Sequence, residues 1–413
     1  MPDTATSTAP PLPDAPALPR SRELPGGVIA RILPTVSFTF VCYLTVGIPL
    51  AILPMHVHLQ LGYGTVLAGL VISTQYVATV VSRPRVGRMV DVFGPKRLVL
   101  LGLFACAASG ALTFAAAFFN SFALVCLLLL LTGRLLLGVG ESMVGTGATM
   151  WSLGRVGSQH IAKVISWNGV ATFTALAVGA PLGVLLQQHW GFASAGLAVI
   201  GVSLAALALA FRLPSIPVSP SKHLPFAHIF WRVAPHGSVL ALGGIGFGVL
   251  ATFISLYFAQ LHWSGAALTL TIYGACFVFT RLLFAGLITR LGGFPVAIVS
   301  LFVEIFGLLL LGLARAPSAA FVAAALIGIG YSLVFPSLAV EAVRHIPIEN
   351  RGTALGAYNA FIDLSLFLTG PMAGAIISRA GYQAVFLTCA AGVFLAFCLT
   401  IALASRHHIP VSD

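Results

Sequence analysis

Four ionisable residues stand inside long apolar runs of this chain: Arg134, Glu141, Glu304 and Asp363. Arg134 and Glu141 share one run, GRLLLGVGES over 133–142. Seven residues are close to two helical turns. The two side chains therefore leave roughly the same helix face, about 10 Å apart along the axis. Asp363 lies in GAYNAFIDLSLFLTG and Glu304 in LFVEIFGLLLLG. Charge in such a run is expensive and marks ion or substrate pathways. Burial and a neighbouring cation act in opposite senses on a carboxylate's hold on its proton. Glu141 and Asp363 are thus candidate proton carriers, with Arg134 tuning Glu141 or binding an anionic group. The competing reading is a static buried cluster of ion pairs and hydrogen bonds. Glu304 reads as a packing or interface residue.

Other chemistry is excluded or bland. Gly138, Gly140, Gly145 and Gly147 superficially resemble a phosphate loop, but inside an apolar span they serve helix packing. No nucleophile constellation is visible, so an enzyme is not expected. His56 and His58, two apart at a helix end, do not converge on a metal, and no metal site is expected. The six cysteines all lie in apolar runs without paired spacing and read as buried small hydrophobes.

The elements that must hold these residues are membrane spans. The 413 residues are 59% hydrophobic and 8% charged, against about 25% charged in a soluble domain. Apolar runs of roughly 20 residues read as spanning helices, and the alternation of a barrel is absent. Twelve spans are predicted, at about 32–56, 63–84, 96–119, 121–149, 163–187, 191–211, 237–258, 265–286, 294–313, 318–340, 355–378 and 383–404. The first 25 residues hold seven prolines and no apolar core, which predicts a disordered cytoplasmic tail over 1–28. The polar stretch 212–236 reads as a cytoplasmic linker between six-helix bundles at 29–211 and 237–405, with a short cytoplasmic tail at 406–413. With the N-terminus in the cytoplasm, 18 of the 21 Lys and Arg fall on that side; the exceptions are Arg315 and Arg379 outside and Arg134 within a span. That bias predicts both termini inside. It also accounts for the net charge of +11 through anionic lipid headgroups, with no nucleic-acid partner.

The two halves repeat. GVGES (138–142) answers GIGYS (328–332), and WNG (167–169) answers YNA (358–360). GAPLG (179–183) resembles TGPMAG (369–374) in kind, and SRPRVGRMVDVFGP (82–95) answers TRLLFAGLITRLGG (280–293). Matches in the same order at near-constant offset imply a pseudo-two-fold axis along the membrane normal, with a binding site between the halves near the midplane. On this register Glu141 corresponds to Tyr331, Arg134 to Ala324 and Asp363 to Thr172. Charge is present in one copy only, which favours function over scaffold. Asn168 and Asn359 recur and read mainly as structural hydrogen-bonding residues beside the cavity. Tyr43, Gln75, Tyr76, Tyr273 and Tyr331 are further cavity candidates.

The segment Gly87-Arg88-Met89-Val90-Asp91-Val92-Phe93-Gly94-Pro95-Lys96-Arg97 resembles the signature loop of the major facilitator superfamily (MFS). Val92 and Pro95 stand where that pattern has basic residues. The resemblance covers nearly the whole chain after residue 28 and implies an all-α membrane protein of twelve helices in two pseudo-symmetric bundles. It also implies a cytoplasmic gate in which Asp91 contacts the start of span eleven, near Gly352. Gly87 and Gly94 would permit close helix approach and a tight turn there, with Arg83, Arg85, Arg88, Lys96 and Arg97 around the acid. Arg134 and the glycines after it are similar to the span-four motif of proton-coupled efflux members. Gly179, Pro181 and Gly183 resemble a shortened form of the glycine-proline motif of antiporter branches, where a bent helix would suit an outer gate.

The function expected is therefore secondary active transport by alternating access: export of a small solute in exchange for protons across a bacterial inner membrane. The protein is expected to be a monomer that uses the proton gradient and no cofactor. Uptake by symport or facilitated diffusion is the first alternative. A receptor or scaffold that transports nothing is the second.

Overall fold

The computed structural model describes residues 27–157, 160–216, 226–344, 346 and 351–407. Its regular elements are helices, and no strand occurs among the described residues. The first half comprises α1 (Val28–Leu50), α2 (Thr65–Phe93), α3 (Pro95–Ala116), α4 (Ala123–Val156), α5 (Ile161–Trp190) and α6 (Phe192–Arg212). The second begins with α7 (Phe226–Gln260), α8 (Ala266–Phe284), α9 (Gly293–Gly312) and α10 (Pro317–Val343). A last helical run, Arg351–His407, turns at Gly381 (φ 82°, ψ 174°) into α11 (351–380) and α12 (382–407). Among the described residues, eleven continuous stretches are long and apolar enough to cross a membrane, and the last is two spans joined at that glycine. The twelve-helix, all-α expectation holds.

Glycine makes the tightest of these turns possible. Gly94 (φ 80°) carries α2 into α3 within one residue. A side chain at this positive φ with extended ψ costs roughly 1–3 kcal/mol. The perimeter is apolar: Phe104, Leu128, Phe211, Phe302 and Phe394 are exposed, a surface suited to lipid and not to water. Trp190 and Trp231 stand exposed near helix ends, where amphipathic rings meet headgroups.

The repeat is realised in packing. A Cβ on Gly138 of α4 would run into the Gln75 backbone of α2, and one on Gly328 of α10 into the Tyr273 backbone of α8. Gly140 likewise abuts Gly102 of α3, and Gly330 abuts Glu304 of α9. The paired glycines thus place equivalent helices at backbone distance in each half.

Several expectations change. Helix α2 runs on to Phe93, beyond 84, so Arg83 lies ten residues inside it, about 15 Å from its end. Helix α7 begins at Phe226 rather than 237, so the helix occupies part of the stretch read as linker. Gly87 brings no helix close, because a Cβ there would meet nothing within 4 Å. Cys398 is exposed on α12, not buried. The tails, apart from their helical ends, and residues 217–225 of the linker lie outside the described residues.

Candidate functional site

A cavity of about 280 Å³ lies between the halves. Helices α1, α2, α4 and α5 line one side and α7, α8, α10 and α11 the other. It reaches toward one end of the bundle, where Leu153 of α4, Ile161 of α5 and Leu355 of α11 line it close to the ends of their helices. Its other end is roofed by aromatic rings from both halves. Phe173 of α5 stacks on Phe277 of α8 at 3.8 Å between centroids, with Phe247 and Tyr331 at 5.8 and 6.4 Å.

Beyond that roof the halves touch backbone to backbone. A Cβ on Gly69 of α2 would sit 2.7 Å from the carbonyl carbon of Gly370 on α11. Along the same seam Thr65 Oγ1 donates to Gly374 O (2.9 Å) and Ser73 Oγ to Leu366 O (3.2 Å). The second seam joins α5 to α8, where Gly274 meets Ala177. The glycine-proline stretch packs beyond the roof too: Gly179 and Gly183 lie against Gly47 and Ile48 of α1, and Pro181 sits within unbroken α5.

Both candidate carboxylates are on the cavity wall, each with a partner that sequence reasoning did not assign. Glu141 Oε2 accepts a hydrogen bond from Gln75 Nε2 at 2.5 Å and a longer one from Thr79 Oγ1 at 3.5 Å. Asp363 Oδ2 accepts from Arg83 Nε at 2.5 Å, an ion pair that bridges the two halves from α2 to α11. Arg83 was expected at the cytoplasmic membrane edge around Asp91. The longer α2 instead takes it into the cavity.

Arg134 departs from its expected place. It is 2% exposed, does not line the cavity, and its three guanidinium nitrogens lack hydrogen-bond partners among the described residues. Two helical turns separate it from Glu141, and the carboxylate turns to α2 instead.

The two asparagines also part company. Asn168 ties three helices: its Oδ1 accepts from Thr39 Oγ1 (2.6 Å), and its Nδ2 donates to Val164 O (3.1 Å) and Thr149 Oγ1 (3.4 Å). Asn359 lines the cavity with no such knot among the described residues. Tyr43, Tyr76 and Tyr331 line the cavity as well. Tyr273 belongs to the roof, stacked with Phe247 at 5.3 Å, and Gln75 holds Glu141.

A second arginine, Arg281 of α8, was also counted with the basic residues of the cytoplasmic side and also lines the cavity. Its Nη1 donates to Ser332 O at 3.2 Å, and its guanidinium carbon lies 5.8 Å from the ring centroids of both Phe277 and Phe335. The signal for both arginines was present in the match of SRPR (82–85) to TRLL (280–283). Read as loop chemistry, it concealed their depth.

The loop motif itself does local structural work. Lys96 Nζ donates to the carbonyls of Phe211 (2.9 Å) and Leu213 (2.6 Å), closing the C-terminal end of α6, where a cation suits the helix dipole. Asp91 is half-buried in the last turns of α2, with Arg88 and Arg97 exposed nearby. Its expected contact near Gly352 lies outside the described side chains. In the second half Glu341, which the sequence reading passed over, caps a helix: its Oε1 accepts from the Gly293 N–H at the start of α9 (3.0 Å). His56 stacks on Phe192 at 3.9 Å while the His58 ring bonds to Tyr63 O, so the two point to different partners. Glu304 is fully buried against Gly246 and Gly330, with neither carboxylate oxygen bonded among the described residues.

Comparison with known proteins places this architecture. The chain is 50% identical over 376 residues to an uncharacterized MFS-type transporter of Burkholderia pseudomallei (strain 1106a), covering 91% of this chain and 92% of the relative. It is 48% identical over 382 residues to the uncharacterized MFS-type transporter YhhS of Shigella flexneri, covering 92% and 94%. It shares the fold of the crystal structure of the human organic anion transporter MFSD10 (TETRAN), with a TM-score of 0.71 at 19% identity over 90% of this chain and 99% of that one. The sequence model of the Major Facilitator Superfamily matches residues 35–264 and 237–412, one match for each half. A twelve-helix chain built of two repeats around a central cavity, matched along nearly its whole length, belongs to the Major Facilitator Superfamily of membrane transporters.

Proposed function

We propose that the protein is a proton-coupled exporter of a small solute, working by alternating access in a bacterial inner membrane with both termini in the cytoplasm. The observation that carries this reading is the Arg83–Asp363 pair on the cavity wall. It joins the two halves along the seam that is closed at its far end by Gly69 and Gly370. A proton on Asp363 removes one charge of that pair and leaves Arg83 uncompensated beside the cavity. The seam is then weakened in one protonation state and strengthened in the other, which is the differential interaction that coupling requires. Glu141, held by Gln75 and Thr79 on the opposite wall, is the second site for a proton. Arg134, buried without hydrogen-bond partners among the described residues, acts on Glu141 only through its charge.

In the orientation predicted from the basic loops, the cavity faces the cytoplasm and the glycine seams seal the outer side. Such a state receives a cytoplasmic solute. The likeness of Gly179, Pro181 and Gly183 to the antiporter motif, and their tight fit on α1, support export. The relatives in Burkholderia and Shigella support the inner membrane.

The test begins with a growth screen in a bacterial strain deficient in exporters, against toxic compounds and metabolites. A compound found there is then followed in inside-out vesicles under an imposed pH gradient. The wild type is expected to accumulate it only with the gradient present, and Asp363→Asn and Glu141→Gln are expected to lose that dependence. Full gradient-driven transport in both variants would overturn the coupling role.

A further inference from the structure

The two inter-half seams are related by the repeat, and they differ by one charge. On the first, Arg83 of α2 reaches Asp363 of α11. On the second, the equivalent arginine, Arg281 of α8, reaches α5: its Nη2 would lie 3.0 Å from a Cβ at Gly169. The repeat offset that pairs WNG with YNA puts Thr172 where Asp363 stands. Thr172 lines the cavity and cannot neutralise a guanidinium. No carboxylate pairs with Arg281 among the described residues. Its contacts are the Ser332 carbonyl and the faces of Phe277 and Phe335.

A guanidinium stays charged at any physiological pH. An uncompensated charge at this depth is unfavourable, and it marks the binding place of an opposite charge. Glu141, the other carboxylate on the wall, is held by Gln75 and Thr79. The five donors of a guanidinium suit a carboxylate or a similar planar or tetrahedral anion. The rings of Phe277, Phe335 and Phe173 beside it offer an apolar surface for the rest of the molecule.

We infer that the transported solute is an organic monoanion with an apolar body, and that its anionic group docks on Arg281 in the place Asp363 takes on the other seam. This rests on the transporter reading above and names its substrate class.

The test uses the purified full-length protein in detergent, with no proton gradient. Thermal unfolding is followed while sodium acetate, benzoate or phenylacetate is titrated in, beside neutral benzamide and cationic benzylamine. A ligand that binds the folded state raises the melting temperature. The aryl carboxylates are expected to do so and the neutral and cationic analogues not. Arg281→Gln is expected to weaken the response roughly ten- to hundredfold in concentration, as for loss of a charge-assisted hydrogen-bond pair; Arg281→Lys is expected to retain part of it.

Thr172→Asp supplies a second arm that needs no ligand. It installs the missing carboxylate, so it should raise the melting temperature above that of Thr172→Asn and abolish the response to carboxylates. In an Arg281→Gln background the increment should vanish. Stabilisation by benzamide or benzylamine equal to that by benzoate would overturn the inference. So would no stabilisation by any carboxylate, or a Thr172→Asp increment that persists without Arg281. Because these readouts do not involve proton flux, loss of coupling leaves them unchanged. Gradient-driven transport of a neutral solute would sink this inference alone.

Discussion

The seam closed at the end away from the cavity mouth, the outer side in the proposed orientation, offers the sharpest perturbation. Gly69 and Gly370 meet backbone to backbone. A Cβ on Gly69 would lie 2.7 Å from the Gly370 carbonyl carbon and 3.0 Å from the Phe253 ring; one on Gly370 would lie 2.5 Å from the Gly69 carbonyl oxygen. Side-chain rotation cannot relieve the contacts between Gly69 and Gly370 themselves, because those opposing atoms are main chain. Only movement of α2 away from α11 can do so, and that movement opens the outer side. Inserting a methyl into a packed site costs about 1–3 kcal/mol. Since about 1.4 kcal/mol is tenfold in an equilibrium, Gly69→Ala should shift the balance toward the outward-open state by roughly five- to 150-fold.

The readout is the rate at which an impermeant maleimide labels Ala251→Cys in a background free of other cysteines. Ala251 is buried beyond the aromatic roof and becomes reachable from outside only when the seam parts. Gly201→Ala is the control, since a Cβ at Gly201 would meet nothing within 4 Å. If Gly69→Ala labels no faster than Gly201→Ala, the contact is not the outer closure.

Three further substitutions probe the buried charges. Arg83→Gln alone should lower the melting temperature more than Arg83→Gln combined with Asp363→Asn, because a buried carboxylate left unpaired costs about 3–5 kcal/mol; Arg83 is 19% exposed toward the cavity, which places the effect at the low end. Glu304→Met should raise the melting temperature, since unbonded buried polar groups cost about 1–3 kcal/mol each; a fall would mean that the carboxylate has a partner. Glu341→Ala should destabilise by about 0.5–2 kcal/mol through loss of the cap on α9, visible in thermal unfolding with flux per folded molecule unchanged.

The architecture was legible because a lipid solvent leaves a simple code: apolar length gives spans, basic loops give parity, and matched motifs give the two halves. Within the site, residue type was more legible than partner. Glu141 and Asp363 stood out as charge in apolar runs and both line the cavity. Their partners did not stand out, because Gln75 and Thr79 are ordinary polar residues in an apolar run, and Arg83 reads as one basic loop residue among several. The helix end was placed too early: a Pro-containing basic stretch looks like a terminus, yet α2 continues through Pro84 to Phe93. The rule that functional charge occurs in one copy only picked out Asp363, whose twin is Thr172, and missed the arginines, which occur in both copies. What differs between the copies is whether the arginine has its acid.

That difference bears on direction. With no ligand, the cavity wall holds Arg83 and Arg281 against Glu141 and Asp363, two charges of each sign. An anion on Arg281 brings the balance to −1, and a proton on a carboxylate brings it to +1. Exchange of one anion leaving for one proton entering therefore moves two charges in the same sense. An inside-negative potential drives this at about 2.3 kcal/mol per charge per 100 mV, or about 4.6 kcal/mol for the cycle. The same anion moving together with a proton transfers no net charge and gains nothing from the potential. In proteoliposomes at fixed pH gradient, a potassium–valinomycin potential should therefore steepen anion export strongly if the carrier is an exchanger. Flux unresponsive to that potential, with the pH dependence intact, would refute export by exchange and assign the protein to symport. Arg281→Gln then separates the two contributions: it should weaken anion binding and slow the flux, leave the protonation of Asp363 in place, and keep the potential dependence of whatever anion flux remains, because the charge moved belongs to the anion and the proton.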